Sequence, residues 1–455
     1  VTTEGLRDRV PTKRNEVAPA FDSHHAPDPE LIADCVHCGF CLPSCPTYVL
    51  WGEEMDSPRG RIVLMRTVSE GSTGLTPSVV SHFDRCLGCM ACVTACPSGV
   101  QYDKLIEATR GQVERRYERS STDRWYRDML FRVFPYSDRL RALIPLMWLY
   151  QRLPMQGVTQ ALAKRGGLIS RMGMLGTIAP AVRLSMLSER LPRTAAARST
   201  RRGRVGMLAG CVQDAFFGNV NAATVRVLTA EGFDVVVPRG QGCCGALSLH
   251  SGREDEGIRF AKQIVDTFER AEVDTIITNS AGCGSAMKDY SYLLRDEPDY
   301  AERAARLAEK VRDVSEVLAS VTPQAKRHPL PVRVAYHDAC HLRHAQHVIE
   351  QPRAMLASIP ELEVVDIAES DLCCGSAGIY NLTEPQAARQ LGERKARNVL
   401  MTKPDVLAAG NPGCLLQIGS ALHALGTDIP TVHPVELLDA SIRGSSVSEV
   451  AGTRR

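Results

Sequence analysis

All sixteen cysteines of this 455-residue chain fall into four groups of four. Two groups, Cys35, Cys38, Cys41, Cys45 and Cys86, Cys89, Cys92, Cys96, share the spacing C-x2-C-x2-C-x3-C and are closed by Pro46 and Pro97. Three thiolates at successive three-residue steps come from one tight turn, as the corner of a [4Fe-4S] cubane requires. Structural zinc also takes four thiolates, but zinc ribbons set their two Cys pairs well apart. In paired runs of this spacing the fourth Cys of one run reaches the cluster held by the first three of the other. That pattern places one cluster on Cys35, Cys38, Cys41 and Cys96, and a second on Cys86, Cys89, Cys92 and Cys45. The small residues Gly39, Gly88, Ala91 and Ala95 leave room for backbone amides beside the sulfurs. His37 reads as a surface residue rather than a ligand.

The other groups are Cys211, Cys243, Cys244, Cys283 and Cys340, Cys373, Cys374, Cys414, each built around Cys-Cys-Gly. Adjacent thiols seldom suit one tetrahedral zinc ion but can bind neighbouring irons, and the glycine permits a positive φ in the wrapping loop. One or two further iron-sulfur clusters are the expectation; a redox-active thiol pair or a vestigial site is the alternative. His337 and His341 flank Cys340 and read as hydrogen-bond donors to the ligands or as ordinary polar residues, rather than as ligands.

The elements that must position these groups are of three kinds. Residues 30–105 form a small α-helical, two-cluster ferredoxin-like module, with a helix expected at 62–69 after Ser57-Pro58-Arg59-Gly60-Arg61. Arg59 and Arg61 read as structural ion-pair partners; the alternative is that they dock a partner or tune a nearby cluster. Residues 106–203 are an Arg-rich helical connector with nineteen Lys or Arg against six acids between Gly111 and Arg204. Pro135, Pro145, Pro154, Pro180 and Pro192 are expected to break it into short helices. Its interleaved apolar residues, among them Trp125, Phe131, Leu146 and Trp148, fit helices packed on the cluster domains; the alternative is a basic amphipathic patch on an anionic membrane or a subunit interface.

The remainder is an internal repeat. Cys211 aligns with Cys340, Cys243 with Cys373 and Cys283 with Cys414, at offsets of 129, 130 and 131 residues, which points to a duplicated domain. Each copy reads strand, Cys, helix, strand, Cys-Cys-Gly, amphipathic helix, strand, Cys. The strands are expected at 205–208, 234–237 and 275–278 in the first copy, and at 332–336, 363–367 and 406–409 in the second. The amphipathic helices fall at 254–272 and 384–401. Alternation of this kind implies parallel α/β sheets whose ligands gather at the carboxyl ends of the strands. The copies span 204–300 and 330–440, with 301–320 as a connecting helix whose pattern runs over 303–320. The whole is an α+β multidomain chain.

Composition excludes several functions. With 54 Lys and Arg against 52 Asp and Glu, there is no excess of positive charge for nucleic-acid binding. Residues 1–29 contain no apolar h-region, and the uncharged stretch 406–427 is interrupted by Gly410-Asn411-Pro412-Gly413, so a cytoplasmic location is expected. Thiols there stay reduced and available to metal rather than paired as disulfides. Gly240-Gln241-Gly242-Cys243-Cys244-Gly245 matches G-x-G-x-x-G, but two cysteines occupy its centre, no helix clearly opens at Gly245 and the second copy lacks the first two glycines. No flavin, nicotinamide or ATP site is expected on this chain.

The stretches CVHCGFCLPSCPTYVLWGEEMDSPRGRIVLMR, RCLGCMACVTACPSGVQYDKL, GCCGALSLHSGREDEG, LCCGSAGIYNLTEPQAARQLGERKARN and AGNPGC resemble the iron-sulfur subunit of bacterial glycolate oxidase over roughly residues 30–440. The tails and parts of the Arg-rich middle carry no such likeness. The resemblance implies FAD-containing partner subunits that oxidise glycolate to glyoxylate, and passage of the electrons to a quinone or other acceptor at the inner face of the membrane. Related architectures belong to lactate-utilisation proteins, to anaerobic glycerol-3-phosphate dehydrogenase and to the heterodisulfide reductase B subunit, whose Cys-Cys-Gly cluster is itself catalytic. Where that last motif ends in C-x-x-C, this chain has Cys283-Gly284-Ser285-Ala286 and Cys414-Leu415-Leu416-Gln417. The missing fifth thiol argues against the disulfide-reducing chemistry of that relative.

Overall fold

The computed structural model describes residues 20–153, 167–447 and 449; the first nineteen residues and the expected break at Pro154 lie outside them. The ferredoxin-like module is built from helices Pro29–Ala33, Pro46–Trp51, Pro58–Ser69, Pro77–Asp84, Ala91–Thr94 and Tyr102–Arg116. Four start on proline, whose fixed φ suits the first turn and whose missing N–H loses no helical bond there. The helix expected at 62–69 therefore begins earlier, at Pro58, with Ser57 as N-cap accepting from the Gly60 amide at 3.1 Å. Met65, Val68, Phe83, Leu105 and Ile106 close the core of this module around Cys86 and Cys92.

The connector contributes helices Ser121–Val133, Ser137–Arg152 and Gly167–Ile178 and a 3-10 turn, Leu184–Leu187. Pro135 and Pro180 fall between elements as expected, but Pro145 sits inside Ser137–Arg152. Tertiary packing overrides the lost N–H there: Leu140, Arg141 and Ile144 are buried, and Arg141 donates to the Asp214 carbonyl oxygen at 2.8 Å. On the inner face the arginines are paired, Arg119 with Asp84 at 2.8 Å and Arg127 and Arg171 with Asp123 at 3.1 and 2.6 Å. On the outer face Leu143, Leu146 and Leu149 stand exposed.

The duplicated half forms two sheets. The first contains β1 (Thr194–Ala195), β2 (Gly203–Met207), β3 (Phe233–Val236), β4 (Thr275–Thr278) and β5 (Val311–Asp313) in the order β1-β3-β2-β4-β5. The second contains β6 (Arg333–His337), β7 (Glu363–Asp366), β8 (Val406–Ala409) and β9 (Thr431–Val432) in the order β7-β6-β8-β9. Every pairing is parallel except β1 with β3. The expected helix over 303–320 is corrected: Ala301–Ala308 and Val314–Ala319 are helical, but β5 lies between them and completes the first sheet beside β4. Asp313 ends that strand and caps the next helix in a reciprocal box with Glu316.

The two copies share one core, in which Val205, Met207 and Ile277 meet Val334, Tyr336 and Leu407. The Ala281 amide donates to the Gly410 carbonyl oxygen at 3.0 Å across the junction, and Gln346 Nε2 donates to the Ala281 carbonyl oxygen at 2.8 Å. Among the described residues no helix is long and apolar enough to cross a membrane.

Candidate metal centres

In the ferredoxin-like module Cys45, Cys86, Cys89 and Cys92 line one small cavity together with Arg61, Gly88 and Tyr102. Cys45 thus leaves its own run and joins the first three cysteines of the other. Four thiolates around one void suit an iron-sulfur cubane. The Gly88 amide and the Tyr102 hydroxyl donate to Cys86 Sγ at 3.4 and 3.6 Å, and Arg110 donates to the Cys86 carbonyl oxygen. Burial pushes the Cys86 thiol up, but the guanidinium groups of Arg61 and Arg110 and these two hydrogen bonds bring it below the ordinary thiol range. Cys89 and Cys92 stay well above it because burial and neighbouring thiolates act together.

Cys35, Cys41 and Cys96 pack half-buried against the same core, and Cys38 is exposed. This set lies nearer the surface. His37 is exposed, with Nδ1 at 3.9 Å from Cys35 Sγ, in keeping with the surface reading. Arg59 and Arg61 are ion-paired, with Glu54 at 2.6 Å and Asp56 at 3.4 Å. Tyr102, Arg110 and the depth of Arg61 carried no signal in the cysteine spacing.

In each Cys-Cys-Gly copy the four cysteines converge beyond the carboxyl ends of three parallel strands, where a doubly wound sheet binds its ligands. In the first, Cys211 Sγ lies 3.5 Å from Cys243 Sγ, and the Cys244 thiol neighbours those of Cys243 and Cys283. In the second, Cys340 Sγ lies 4.0 Å from Cys373 Sγ, and the Cys374 thiol neighbours those of Cys373 and Cys414. Cys283 and Cys414 sit in the first turns of helices Ala281–Lys288 and Pro412–Ala424, and the neighbouring Cys244 sulfur together with burial pushes the Cys283 thiol well above its ordinary range. A helix, Ala246–Leu249, does open at Gly245, contrary to expectation; it is one turn long, and the cysteines inside the G-x-G-x-x-G match are turned to Cys211 and Cys283.

The glycine of each motif is required. Gly245 has φ +84° and Gly375 φ +92°, and a Cβ there would stand 3.1 Å from the Gly257 carbonyl oxygen or 2.8 Å from that of Ala388. Gly375→Ala is expected to cost about 1–3 kcal/mol through strain and crowding, with Gly245→Ala losing less; urea midpoints of the two variants check the order.

The two sites differ in surroundings. Cys211 and Cys243 open onto a cavity lined also by Arg141, Arg190, Arg193 and Arg239. All four cysteines of the second copy are buried, and Cys340 and Cys373 share one buried cluster with Cys89 of the ferredoxin-like module. His341 Nδ1 lies 3.5 Å from Cys340 Sγ, as a hydrogen-bond donor would. Asn411 Nδ2 donates to Cys414 Sγ at 3.5 Å, a contact the motif AGNPGC contained but did not reveal. His337 makes neither kind of contact: burial pushes its imidazole down to about 3, so it is neutral. The position of the absent fifth thiol, Gln417, is filled by a buried amide bonded to the Ala388 carbonyl oxygen at 2.8 Å and to Asn381 at 3.2 Å.

Four thiolate quartets, two on a helical module and two on sheet edges packed against it, define an iron-sulfur electron-transfer protein. The 4Fe-4S dicluster domain matches residues 31–100, the cysteine-rich domain residues 205–288 and 334–419, and the linker region of the glycolate oxidase iron-sulfur subunit residues 122–187. The chain is 37% identical to the probable glycolate oxidase iron-sulfur subunit of Bacillus subtilis, covering 90% of this chain and 93% of that one. It is 34% identical to the glycolate oxidase iron-sulfur subunit of Escherichia coli, covering 86% and 90%. Lactate utilization protein A of Oceanobacillus iheyensis is 29% identical over 53% of this chain and 98% of its own. The chain belongs to the family of glycolate oxidase iron-sulfur subunits, and the match over 122–187 extends the likeness into the Arg-rich middle.

Proposed function

We propose that this chain is the electron-carrying subunit of a complex that oxidises glycolate to glyoxylate on the FAD of a partner subunit and delivers the two electrons to a quinone or other acceptor. Bound iron-sulfur clusters would supply one-electron steps between the two-electron flavin and the acceptor. We assign Cys35, Cys38, Cys41 and Cys96 to one cluster, Cys86, Cys89, Cys92 and Cys45 to the second, and each Cys-Cys-Gly quartet to a further centre.

The observation that carries this reading is the burial of Cys89 in one cluster with Cys340 and Cys373. It puts a ferredoxin cysteine and two Cys-Cys-Gly cysteines in one buried cluster, so the deeply buried second copy follows the ferredoxin module. The half-buried first copy, open to its arginine-lined cavity, faces an anionic acceptor or partner surface. The exposed leucines on Ser137–Arg152 supply an apolar face for the flavin subunit. The Gln417 contacts argue against a disulfide-reducing centre.

Stopped-flow mixing of the co-purified complex with glycolate tests this. Bleaching of the iron-sulfur absorbance within one turnover is the expected result, with lactate and glycerol 3-phosphate slower. A flavin that reduces while the cluster absorbance stays unchanged would leave only a scaffold.

A further inference from the structure

We propose that His337 is a metal ligand of the second Cys-Cys-Gly centre, so that the duplicated sites hold metal through different donor sets: thiolate alone in the first, thiolate with imidazole in the second. The inference rests on the reading that this centre binds iron. His337 ends β6 and is 1% exposed. Neither of its ring nitrogens has a hydrogen-bond partner among the described residues. One ring nitrogen and the sulfurs of Cys374 and Cys414 all lie within 4.8 Å of one another.

A core histidine held for structural reasons has its nitrogens satisfied, because a buried polar atom left bare is costly. The neighbouring polar groups are already engaged elsewhere. Asp338 is taken by Arg353 at 2.8 Å, and the Asn411 amide and the His341 ring are directed to Cys414 and Cys340. What remains open to the His337 lone pair is the sulfur pair and whatever that pair binds. Neutral imidazole is among the commonest metal donors.

Comparison of the two copies isolates the feature. The offset of 129 residues that carries Cys211 to Cys340 carries Leu208 to His337. Leu208 is buried in an apolar cluster with Cys243, Cys244 and Phe260. The first copy thus packs a hydrocarbon where the second places a fifth donor. The imidazole adds a neutral donor to a centre that keeps its four thiolates, so the two copies differ in coordination and not in thiolate count.

The test uses the full chain reconstituted anaerobically with iron and sulfide. Pulsed EPR is expected to detect an imidazole nitrogen coupled to a paramagnetic centre, and His337→Leu to abolish that coupling while the iron of the ferredoxin runs is retained. Iron release from the second Cys-Cys-Gly site to a chelator should quicken at least about tenfold in His337→Leu, and His337→Cys should restore retention without the nitrogen signal. Metal-free His337→Leu should unfold no earlier than the wild type, because an unsatisfied imidazole has been exchanged for the residue the other copy uses. A wild-type spectrum without a coupled imidazole nitrogen, or a coupling that survives in His337→Leu, overturns the proposal while leaving the electron-carrying role intact. A chain that takes up no iron overturns both.

Discussion

Cys45→Ala is expected to strip iron from the second ferredoxin run rather than from the run in which it lies. The chain should lose about four irons, and electron flow from glycolate to the acceptor should fall to the background of a flavin with no outlet. The reason is geometric. Cys45 is buried and shares its cavity with Cys86, Cys89 and Cys92, with the Thr47 hydroxyl 3.3 Å from its sulfur. Cys38→Ala should instead remove the outer cluster, because Cys38 is exposed at the module's surface. The two variants separate by spectroscopy: loss of Cys45 must remove the centre that lies against Cys340. Iron loss from both clusters in equal measure would point to unfolding of the module, and loss of the outer cluster alone in Cys45→Ala would refute crossed ligation.

The parts of the fold legible in the sequence were those set by local pattern. The strand at Val406–Ala409 is a uniform apolar run and that at Thr275–Thr278 a run of β-branched residues, each between helices, the mark of a largely buried strand. The repeat was legible because cysteines recur at near-constant offsets. The misreadings have a common cause, in that short elements are decided by neighbours distant in sequence. Residues 303–320 have helical composition, yet Val311, Arg312 and Asp313 pair with β4. The Asp313-x-x-Glu316 box was the available sign that a new helix starts there. Pro145 breaks no helix because Ile144 and Arg141 are held from outside. The sequence set His337 beside Cys340 but could not show that its ring nitrogens lack hydrogen-bond partners among the described residues, because that is a property of surroundings and not of spacing.

Arg61 shows the same dependence on surroundings, and its removal should have the largest effect on stability. The guanidinium is 1% exposed. It donates to the His82 carbonyl oxygen at 2.6 Å, to Thr47 Oγ1 at 3.2 Å and to Asp56 Oδ1 at 3.4 Å, with one nitrogen 4.0 Å from Cys45 Sγ. Asp56 is equally buried and keeps His82 at 2.9 Å and Arg85 at 3.0 Å. Arg61→Met removes one partner from a buried ion pair, a change that costs about 3–5 kcal/mol; the Arg85 ion pair and the His82 hydrogen bond that Asp56 keeps place it toward the lower end. Adding Asp56→Asn should recover part of the loss, since the single variant suffers mainly from an under-compensated buried charge. Arg61 also helps hold the Cys86 thiol low, so the same variant should lower the reduction potential of the inner cluster. Arg61→Lys keeps the charge without the planar fork; it should retain most of the potential and little of the stability. Urea unfolding paired with a redox titration reads both, and a potential that moves equally in the Lys and Met variants would mean that the fork, not the charge, sets it.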